Sequence, residues 1–345
     1  MRTLEISRRL AVLVLGIAAT GAAWTAPSLA QNPPPGASTN DWDVIVGMPT
    51  GGSIDAYARL LQKHLPRHLA GAPALVVKNK PGAGSLLAVQ TIANSTPHDG
   101  PMMATFSSAL IPGAITDPER FKVDFRRLRF IGNIGEDYRV CYFRSATGIH
   151  NMKDLAARDQ VIIGASAPGS SGMVNVAVLE DLFKIKVKEV RGYPGSADKR
   201  LAIERGEIDG DCGGIDVIPE DWLAQKKVNV AVRFLSHLPA GVDPSIQFAA
   251  DLLASPADRQ VYDLAIKPTR LVGTFVVSEA VPNDKLQELR RGFGQMMTDD
   301  AFLEDAKKAR LPILAIAGAD LDREIAALYA TAPDLLKRTK ALLDR

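Results

Sequence analysis

The sequence predicts an α/β protein in which strands and helices alternate along most of the chain. Two observations support this fold class. Short apolar runs bounded by glycine, proline and serine precede segments whose apolar residues recur at helical spacing. The pattern of strand, small-residue loop and helix also occurs twice, near residues 50 and 168. Such alternation is typical of a largely parallel sheet flanked by helices, and the repeated pattern indicates two lobes.

The first strand-loop-helix unit spans residues 44–61, VIVGMPTGGSIDAYARLL. Residues 44–48 are predicted to form a strand, and Ser53 begins a helix with apolar residues at Ala56, Tyr57, Leu60 and Leu61. The first turn of a helix has backbone N–H groups without partners, and Gly51 and Gly52 would let a ligand approach them. The unit is therefore a candidate anion site, although a helix simply capped by Ser53 would have the same sequence.

The remaining elements follow in chain order. Strands are predicted at 74–78, 101–106, 138–143, 161–165, 187–190, 208–212, 228–234 and 271–278. Helices are predicted at 85–94, 151–157, 173–183, 197–205, 284–297, 300–309 and 320–343. The basic residues between 119 and 129 are expected on a solvated surface.

Two loops are expected to face one cleft. In open sheets, ligands bind at the carboxyl ends of strands, where residues 50–53 and the pair Ser107 and Ser108 both lie. The loop 166–172, SAPGSSG, lies between the strand at 161–165 and the helix at 173–183, so the order strand, small-residue loop and helix of the first unit recurs. It is a second candidate anion site, in the second lobe.

The N-terminus has the features of an export signal. Arg2, Arg8 and Arg9 precede the apolar run 10–23, and Ser28-Leu29-Ala30 offers small residues for cleavage before Gln31. No later apolar stretch reaches the ~18 residues of a membrane span. We therefore predict that residues 1–30 are a signal peptide, that 31–40 are a disordered leader, and that the mature protein is exported.

The charge of the mature chain argues against nucleic acid as a partner. The full chain has 41 Lys and Arg and 39 Asp and Glu, and removal of three Arg and one Glu with residues 1–30 leaves 38 of each. A neutral chain has no general attraction for nucleic acid or for an anionic membrane surface. The two cysteines, Cys141 and Cys212, either pair or remain buried thiols.

The sequence lacks the common signatures of catalysis and of metal binding. It contains no Gly-x-Ser-x-Gly elbow, no phosphate-binding Gly-Lys loop and no His-Glu-x-x-His pair. His64 and His68 have metal-ligand spacing, but Pro66 lies between them, so both are expected at the surface. Asp209, Asp211 and Asp216 would suit acid–base work, but such residues more often cap turns or contact a ligand amine. We expect no enzyme activity, no cofactor and no metal.

Several spaced motifs resemble the Bug (TctC-like) receptors of tripartite tricarboxylate transporters. The most specific is the Pro-x-Gly-Gly-Ser-x-Asp turn with the following Ala-Arg-Leu-Leu, at residues 49–61. The Asn-x-Pro-Gly-Ala-Gly segment at 79–84, the pair Asp99-Gly100, the Gly169-Ser170 loop and the Tyr-x-Gly-Ser turn at 193–196 follow in order. The resemblance covers nearly all of the mature chain.

The resemblance implies a type II periplasmic-binding-protein fold, with two α/β lobes joined by crossover strands around a ligand cleft. The first lobe would comprise 41–138 and 236–345, and the second 139–235. The implied ligand-binding residues are Pro49, Thr50, Gly51, Gly52, Ser53, Asp55, Ser107 and Ser108 in the first lobe and Gly169, Ser170, Ser171, Tyr193, Ser196 and Asp211 in the second.

The implied function is capture of a small organic carboxylate and its delivery to membrane permease subunits, by a monomeric receptor. An alternative is a carboxylate sensor that docks on a sensor kinase, which the sequence does not distinguish from a transport receptor. A secreted hydrolase is disfavoured because no nucleophile motif is present. The sequence does not identify the carboxylate.

Overall fold

The computed structural model describes residues 41–165, 171–193, 195–239 and 241–344. The predicted signal peptide, its cleavage site before Gln31, the leader, and the loop residues Gly169 and Ser170 lie outside the described residues. None of the helices in these ranges has both the length and the apolar character needed to cross a bilayer.

Strands and helices alternate over most of the described chain. The strands are β1 (Trp42–Val46), β2 (Leu75–Asn79), β3 (Met102–Thr105), β4 (Leu128–Glu136), β5 (Arg139–Arg144), β6 (Val161–Gly164), β7 (Val187–Val190), β8 (Gly210–Gly214), β9 (Val228–Arg233), β10 (Leu271–Ser278) and β11 (Ile316–Ala317). The helices are α1 (Ser53–His64), α2 (Leu86–Ala93), α3 (Leu110–Thr116), α4 (Pro118–Phe121), α5 (Met152–Ala156), α6 (Ser171–Leu182), α7 (Ser196–Arg205), α8 (Glu220–Ala224), α9 (Pro256–Ile266), α10 (Asn283–Met296), α11 (Asp300–Lys308), α12 (Gly318–Tyr329) and α13 (Pro333–Leu343).

The strands form two separate sheets. The first has the order β11-β4-β10-β3-β1-β2, and the second has the order β7-β6-β8-β5-β9. Pairing is parallel among β1, β2 and β3 and among β6, β7 and β8, but β4, β10, β11, β5 and β9 pair antiparallel. The prediction of a largely parallel sheet is therefore wrong for β4, β10 and β11 of the first sheet and for β5 and β9 of the second. Four of these strands, β4, β5, β9 and β10, lead into or out of the two connections between the sheets.

Both sheets have apolar residues on both faces. Val44 and Val46 of β1 contact a core built with α1, α10 and α11, whereas Ile45 packs on the opposite face with α2, α3 and α12. This follows from the two-residue side-chain period of a strand. In the second sheet, Cys141 and Phe143 pack against α6 and α9, and their neighbours Val140 and Tyr142 pack against α7 and α8.

The packing of the last helices bears on the lobe limits. α9 lies after residue 236, yet Val261 and Tyr262 pack into the core of the second sheet, as does Leu342 of α13. The chain thus returns to cover the second sheet after its last strand there. The limits 41–138, 139–235 and 236–345 remain a prediction.

A disulfide joins Cys141 and Cys212. The two residues are directly opposite in the antiparallel pair β5–β8, with Cα atoms 4.1 Å apart. Of the two alternatives left by the sequence, the structure therefore shows the paired one.

His64 is buried, so the expectation that it lies at the surface is wrong. α1 ends at His64, and a 3₁₀ turn at Leu65–His68 follows, consistent with the helix-ending effect of Pro66. The His64 ring packs edge-on against Phe302 and its Nε2 lies 2.8 Å from Asp305 Oδ2. A histidine can be buried here because both ring nitrogens have polar partners.

Candidate functional site

The turn between β1 and α1 presents open backbone. Gly51 has φ +87°, a conformation that favours glycine, and Gly52 is the residue before the helix. A Cβ at either glycine would meet nothing within 4 Å. Pro49, Thr50 and Ser53 are exposed beside them. This turn therefore offers a helix N-terminus that a ligand can approach, as the sequence predicts.

The buried side chain of Asp55 is hydrogen-bonded to the backbone of this turn. Its carboxylate accepts hydrogen bonds from the Gly51 N–H (3.0 Å), from Arg59 (2.9 Å) and from Asn79 Nδ2 (2.9 Å), and the side chain is buried. Burial raises the pKa of Asp55, but these hydrogen bonds outweigh it and hold the pKa below its usual value. The structure thus gives Asp55 and the Gly51 N–H protein partners, which differs from the expectation that they contact ligand.

Ser85 joins the ends of two strands and was not among the predicted site residues. Its hydroxyl donates to the Gly47 carbonyl (3.0 Å) and accepts from the Ser107 N–H (3.1 Å). Gly47 follows β1 and Ser107 follows β3, so Ser85 fixes the spacing of the two carboxyl ends. Ser85 is fully buried and has φ +82°, which is unusual for a residue with a Cβ. The only signal in the sequence was its place after the Asn-x-Pro-Gly-Ala-Gly turn.

Ser107 and Ser108 differ in their exposure: Ser107 is partly accessible and Ser108 is buried. Ser108 is buried, and its hydroxyl donates to the Leu271 carbonyl at 2.6 Å, which ties the loop after β3 to β10. This differs from the expectation that Ser108 lines the cleft. Ser107 is only partly buried, and its N–H is the group that Ser85 fixes.

In the second lobe, α6 begins at Ser171, which is buried. The next residue, Gly172, lies so close to β8 that a Cβ would be 2.8 Å from the Cys212 carbonyl oxygen and 3.7 Å from Arg139 Nη1. Arg139 in turn lies 2.7 Å from Asp137. Burial raises the pKa of Asp137, while the charge of Arg139 opposes that rise. The guanidinium of Arg139 thus lies beside the start of α6. The sequence analysis did not identify Arg139 as a site residue.

Tyr193 and Ser196 lie at the turn into α7. Ser196 is the first residue of α7, both residues are partly buried, and Tyr193 packs against the core that contains Tyr142. Both positions agree with the predicted turn before a helix.

Asp211 forms a buried ion pair within the second lobe. It is buried in β8, and its Oδ1 lies 2.7 Å from the Nζ of buried Lys199 on α7. Tyr142 lies opposite Asp211 in the neighbouring strand, and burial together with the Asp211 charge raises the pKa of its hydroxyl. The amine that Asp211 meets in this structure is that of Lys199, and a ligand contact by Asp211 stays a prediction.

The other two aspartates also have local surroundings that do not suit an acid–base pair. Asp209 accepts from the Ile162 N–H at 2.8 Å and so links β6 to the start of β8. Asp216 is exposed in the 3₁₀ turn after β8. The described residues contain no group of three or more His, Cys, Asp or Glu placed to hold a metal ion.

A cavity of about 600 Å³ lies beside these loops. One wall is the loop before α2 together with α3 and α4, and the other is the first turns of α6 with the end of β7. None of the predicted site residues lines it among the described parts of the chain. The volume of the cavity is nevertheless within the range of small-molecule binding sites, ~300–1,000 Å³.

Comparisons with known proteins place the chain among binding proteins. No family model matches it. A UPF0065 protein of Bordetella bronchiseptica is 31% identical over 260 residues, which cover 72% of this chain and 76% of that protein.

Solved structures share the fold. A TctC solute-binding protein from Polaromonas superposes with a TM-score of 0.67 at 17% identity, over 88% of this chain and 98% of that one. MatC from Rhodopseudomonas palustris, solved with bound malate, superposes with a TM-score of 0.62 at 17% identity, over 88% and 98% of the two chains. The two sheets described above are therefore the two lobes of a periplasmic-binding-protein fold. With the Bordetella relative, they show that this chain belongs to the UPF0065, or Bug, family of solute-binding proteins, which are not enzymes.

Proposed function

We propose that the protein is a periplasmic receptor that captures a small organic carboxylate between its two lobes and delivers it to the permease of a tripartite tricarboxylate-type transporter. Family membership supports a binding role, and the related fold of MatC holds malate, a carboxylate. The observation that carries the proposal is the open backbone of Gly52 at the start of α1.

The proposed contacts are those that the structure leaves accessible. In the first lobe they are Thr50, Gly52, Ser53 and Ser107. In the second lobe they are Tyr193 and Ser196, which are partly buried. Ser171, which is buried, is proposed together with Gly169 and Ser170 as a prediction. Hydrogen bonds from N–H and hydroxyl groups to a carboxylate contribute about 1.5–3 kcal/mol each.

The substitution Gly52→Val tests this site. A β-branched side chain at Gly52 would occupy the space through which ligand reaches the backbone, so carboxylate binding should be lost. Gly294→Val is the matched control, because Gly294 is exposed on α10 and its Cβ would likewise meet nothing within 4 Å.

The measurement is the thermal shift of ligand-stripped protein with a panel of mono-, di- and tricarboxylates. We expect at least one acid to raise the unfolding temperature of the natural protein and of Gly294→Val but not of Gly52→Val. A shift of equal size in all three proteins would contradict the site, and no shift with any acid would contradict the ligand class.

A further inference from the structure

The 600 Å³ cavity described above has largely apolar walls. On the first-lobe side it is lined by Ala83, Leu86 and Leu110, and on the second-lobe side by Met173, Val174 and Ala177. The three second-lobe residues lie on the first two turns of α6. A linear apolar group placed along this stretch of α6 would contact both walls.

Residues next to the proposed carboxylate site in the chain line the cavity on both sides. Gly84 lines the cavity, and the next residue, Ser85, is hydrogen-bonded to Gly47 and Ser107 at the carboxyl ends of β1 and β3. On the opposite wall, Met173 follows the proposed contact Ser171 by two residues. A ligand whose carboxylate is held at these strand ends can therefore extend its body into the cavity.

The charges that line the cavity do not favour a second carboxylate. The two arginines that line it are already paired with carboxylates that also line it. Arg120 lies 3.2 Å from Asp344, and Arg191 lies 2.8 Å from Glu189. Two further acidic residues, Asp117 and Glu180, also line the cavity, and Asp117 pairs with Lys340 at 2.9 Å. A second carboxylate would have to displace Asp344 from Arg120 or Glu189 from Arg191 to gain a charged partner there.

We propose that the ligand is a monocarboxylate with an extended apolar body, which fills this cavity while its carboxylate lies at the ends of β1 and β3. This inference rests on the proposed function and specifies its substrate class. It separates the protein from a receptor for small dicarboxylates, since those acids have a second charge where this cavity is apolar.

Calorimetric titration of ligand-stripped protein with straight-chain acids tests the inference. One series runs from butanoate to decanoate, and the other contains the α,ω-dicarboxylates of the same lengths. Each added methylene should tighten binding of the monocarboxylates about fourfold until the cavity is full. Each dicarboxylate should bind at least tenfold more weakly than the monocarboxylate of equal length.

Ala83→Trp tests the same inference through the protein. Ala83 is exposed, lines the cavity and has φ +45°, so its tryptophan would occupy the space of the apolar body. Ala72→Trp is the matched control, because Ala72 is exposed, has φ +41° and does not line this cavity. Ala83→Trp should weaken decanoate at least tenfold and leave butanoate unchanged, whereas Ala72→Trp should change neither.

The outcomes separate the two proposals. Dicarboxylates that bind as tightly as monocarboxylates, or monocarboxylates whose affinity does not depend on length, would overturn the apolar-body inference and leave the carboxylate receptor intact. Failure of every straight-chain acid to bind would also overturn the apolar-body inference, and failure of the whole mono-, di- and tricarboxylate panel would overturn the proposed function itself. If Ala83→Trp does not fold, as judged by its thermal unfolding, the two acid series on the natural protein still decide the question.

Discussion

At the scale of single residues, Asp55 determines the shape of the turn at the first-lobe site. Its carboxylate accepts from Gly51, Arg59 and Asn79, and Asn79 also donates to the Met48 carbonyl at 3.0 Å. These contacts fix the backbone on both sides of Pro49 and Thr50. The exposed residues of the turn are thereby held in place before any ligand arrives, which lowers the entropy cost of binding.

Asp55→Asn should make the protein less stable at neutral pH and less sensitive to acid. The folded pKa of Asp55 lies below its usual value, so its stabilisation is fully present above that usual value and is lost as pH falls through the folded pKa. Loss of the ion pair with Arg59 at about pH 7 should cost about 1–3 kcal/mol.

Urea denaturation at about pH 7 and about pH 3 measures both effects. At the lower pH, the difference in unfolding free energy between the natural protein and Asp55→Asn should be smaller. Asp159→Asn, at an exposed position, serves as the control. An equal difference between natural protein and Asp55→Asn at both pH values would contradict the role of this carboxylate.

The buried pair of Lys199 and Asp211 gives a second prediction at this scale. Lys199→Met would leave the Asp211 carboxylate buried without its cation, which should cost about 3–5 kcal/mol. The double variant Lys199→Met, Asp211→Leu should recover most of this loss, because no charge then remains buried. Lys308→Met, which breaks the exposed pair with Glu304, is the control and should have no measurable effect on denaturant unfolding.

If the double variant is as unstable as Lys199→Met alone, the buried charge is not the cause of the loss. A cost no larger than that of the exposed control would show that the pair is solvated in solution.

At the scale of secondary-structure elements, predictability from sequence follows from how each strand is buried. The strand β10, LVGTFVVS, has a nearly continuous apolar run and was predicted with its observed limits. The strand β4, LRFIGNIGE, was missed because its buried positions include glycine, asparagine and glutamate. Gly132 lies against Phe293, Gly135 lies against Tyr57, and Asn133 accepts from Thr274 on β10, contacts that only the folded chain reveals.

The predicted helix 320–343 is wrong for a local reason. The structure divides it into α12 and α13, with Pro333 as the first residue of α13. Proline has no backbone N–H to donate and fits best at the first position of a helix, so Pro333 begins a new helix instead of continuing the old one. The sequence contained this signal, and the apolar periodicity on both sides obscured it.

The same reasoning applies to the candidate site. The glycine turn at Gly51, Gly52 and Ser53 before a helix was predicted because it depends on local sequence, and its role in ligand binding stays a prediction. Asp55, Ser108 and Asp211 were placed with them, but each has a partner on another element: Asn79, Leu271 and Lys199, respectively. Which hydroxyl or carboxylate faces a cleft depends on such partners, and a single sequence does not show them.

Reduction of the disulfide should destabilise the protein. Cys141 and Cys212 are 71 residues apart, and a loop of that length corresponds to about 4 kcal/mol of stabilisation through the unfolded state. Denaturant unfolding with and without reductant measures the effect. The double variant Cys141→Ala, Cys212→Ala should resemble the reduced protein and should not respond to reductant. Identical midpoints for reduced and oxidised natural protein would contradict the expected contribution.

At the scale of the whole molecule, one polar network holds both connections between the sheets. Glu136, the last residue of β4, lies 2.6 Å from His237, which follows β9, and 3.1 Å from Arg270, which precedes β10. Arg270 also contacts Glu324 of α12 at 2.7 Å. Because every covalent path between the sheets passes this network, lobes that close on a ligand would hinge here.

The measurement that tests the central proposal most directly is native mass spectrometry of the exported protein purified without denaturation, followed by release and identification of the bound molecule. The account predicts a single monocarboxylate with an apolar body, recovered at close to one per chain and lost from Gly52→Val but not from Gly294→Val. A stoichiometric molecule without a carboxylate group would contradict the receptor proposed here.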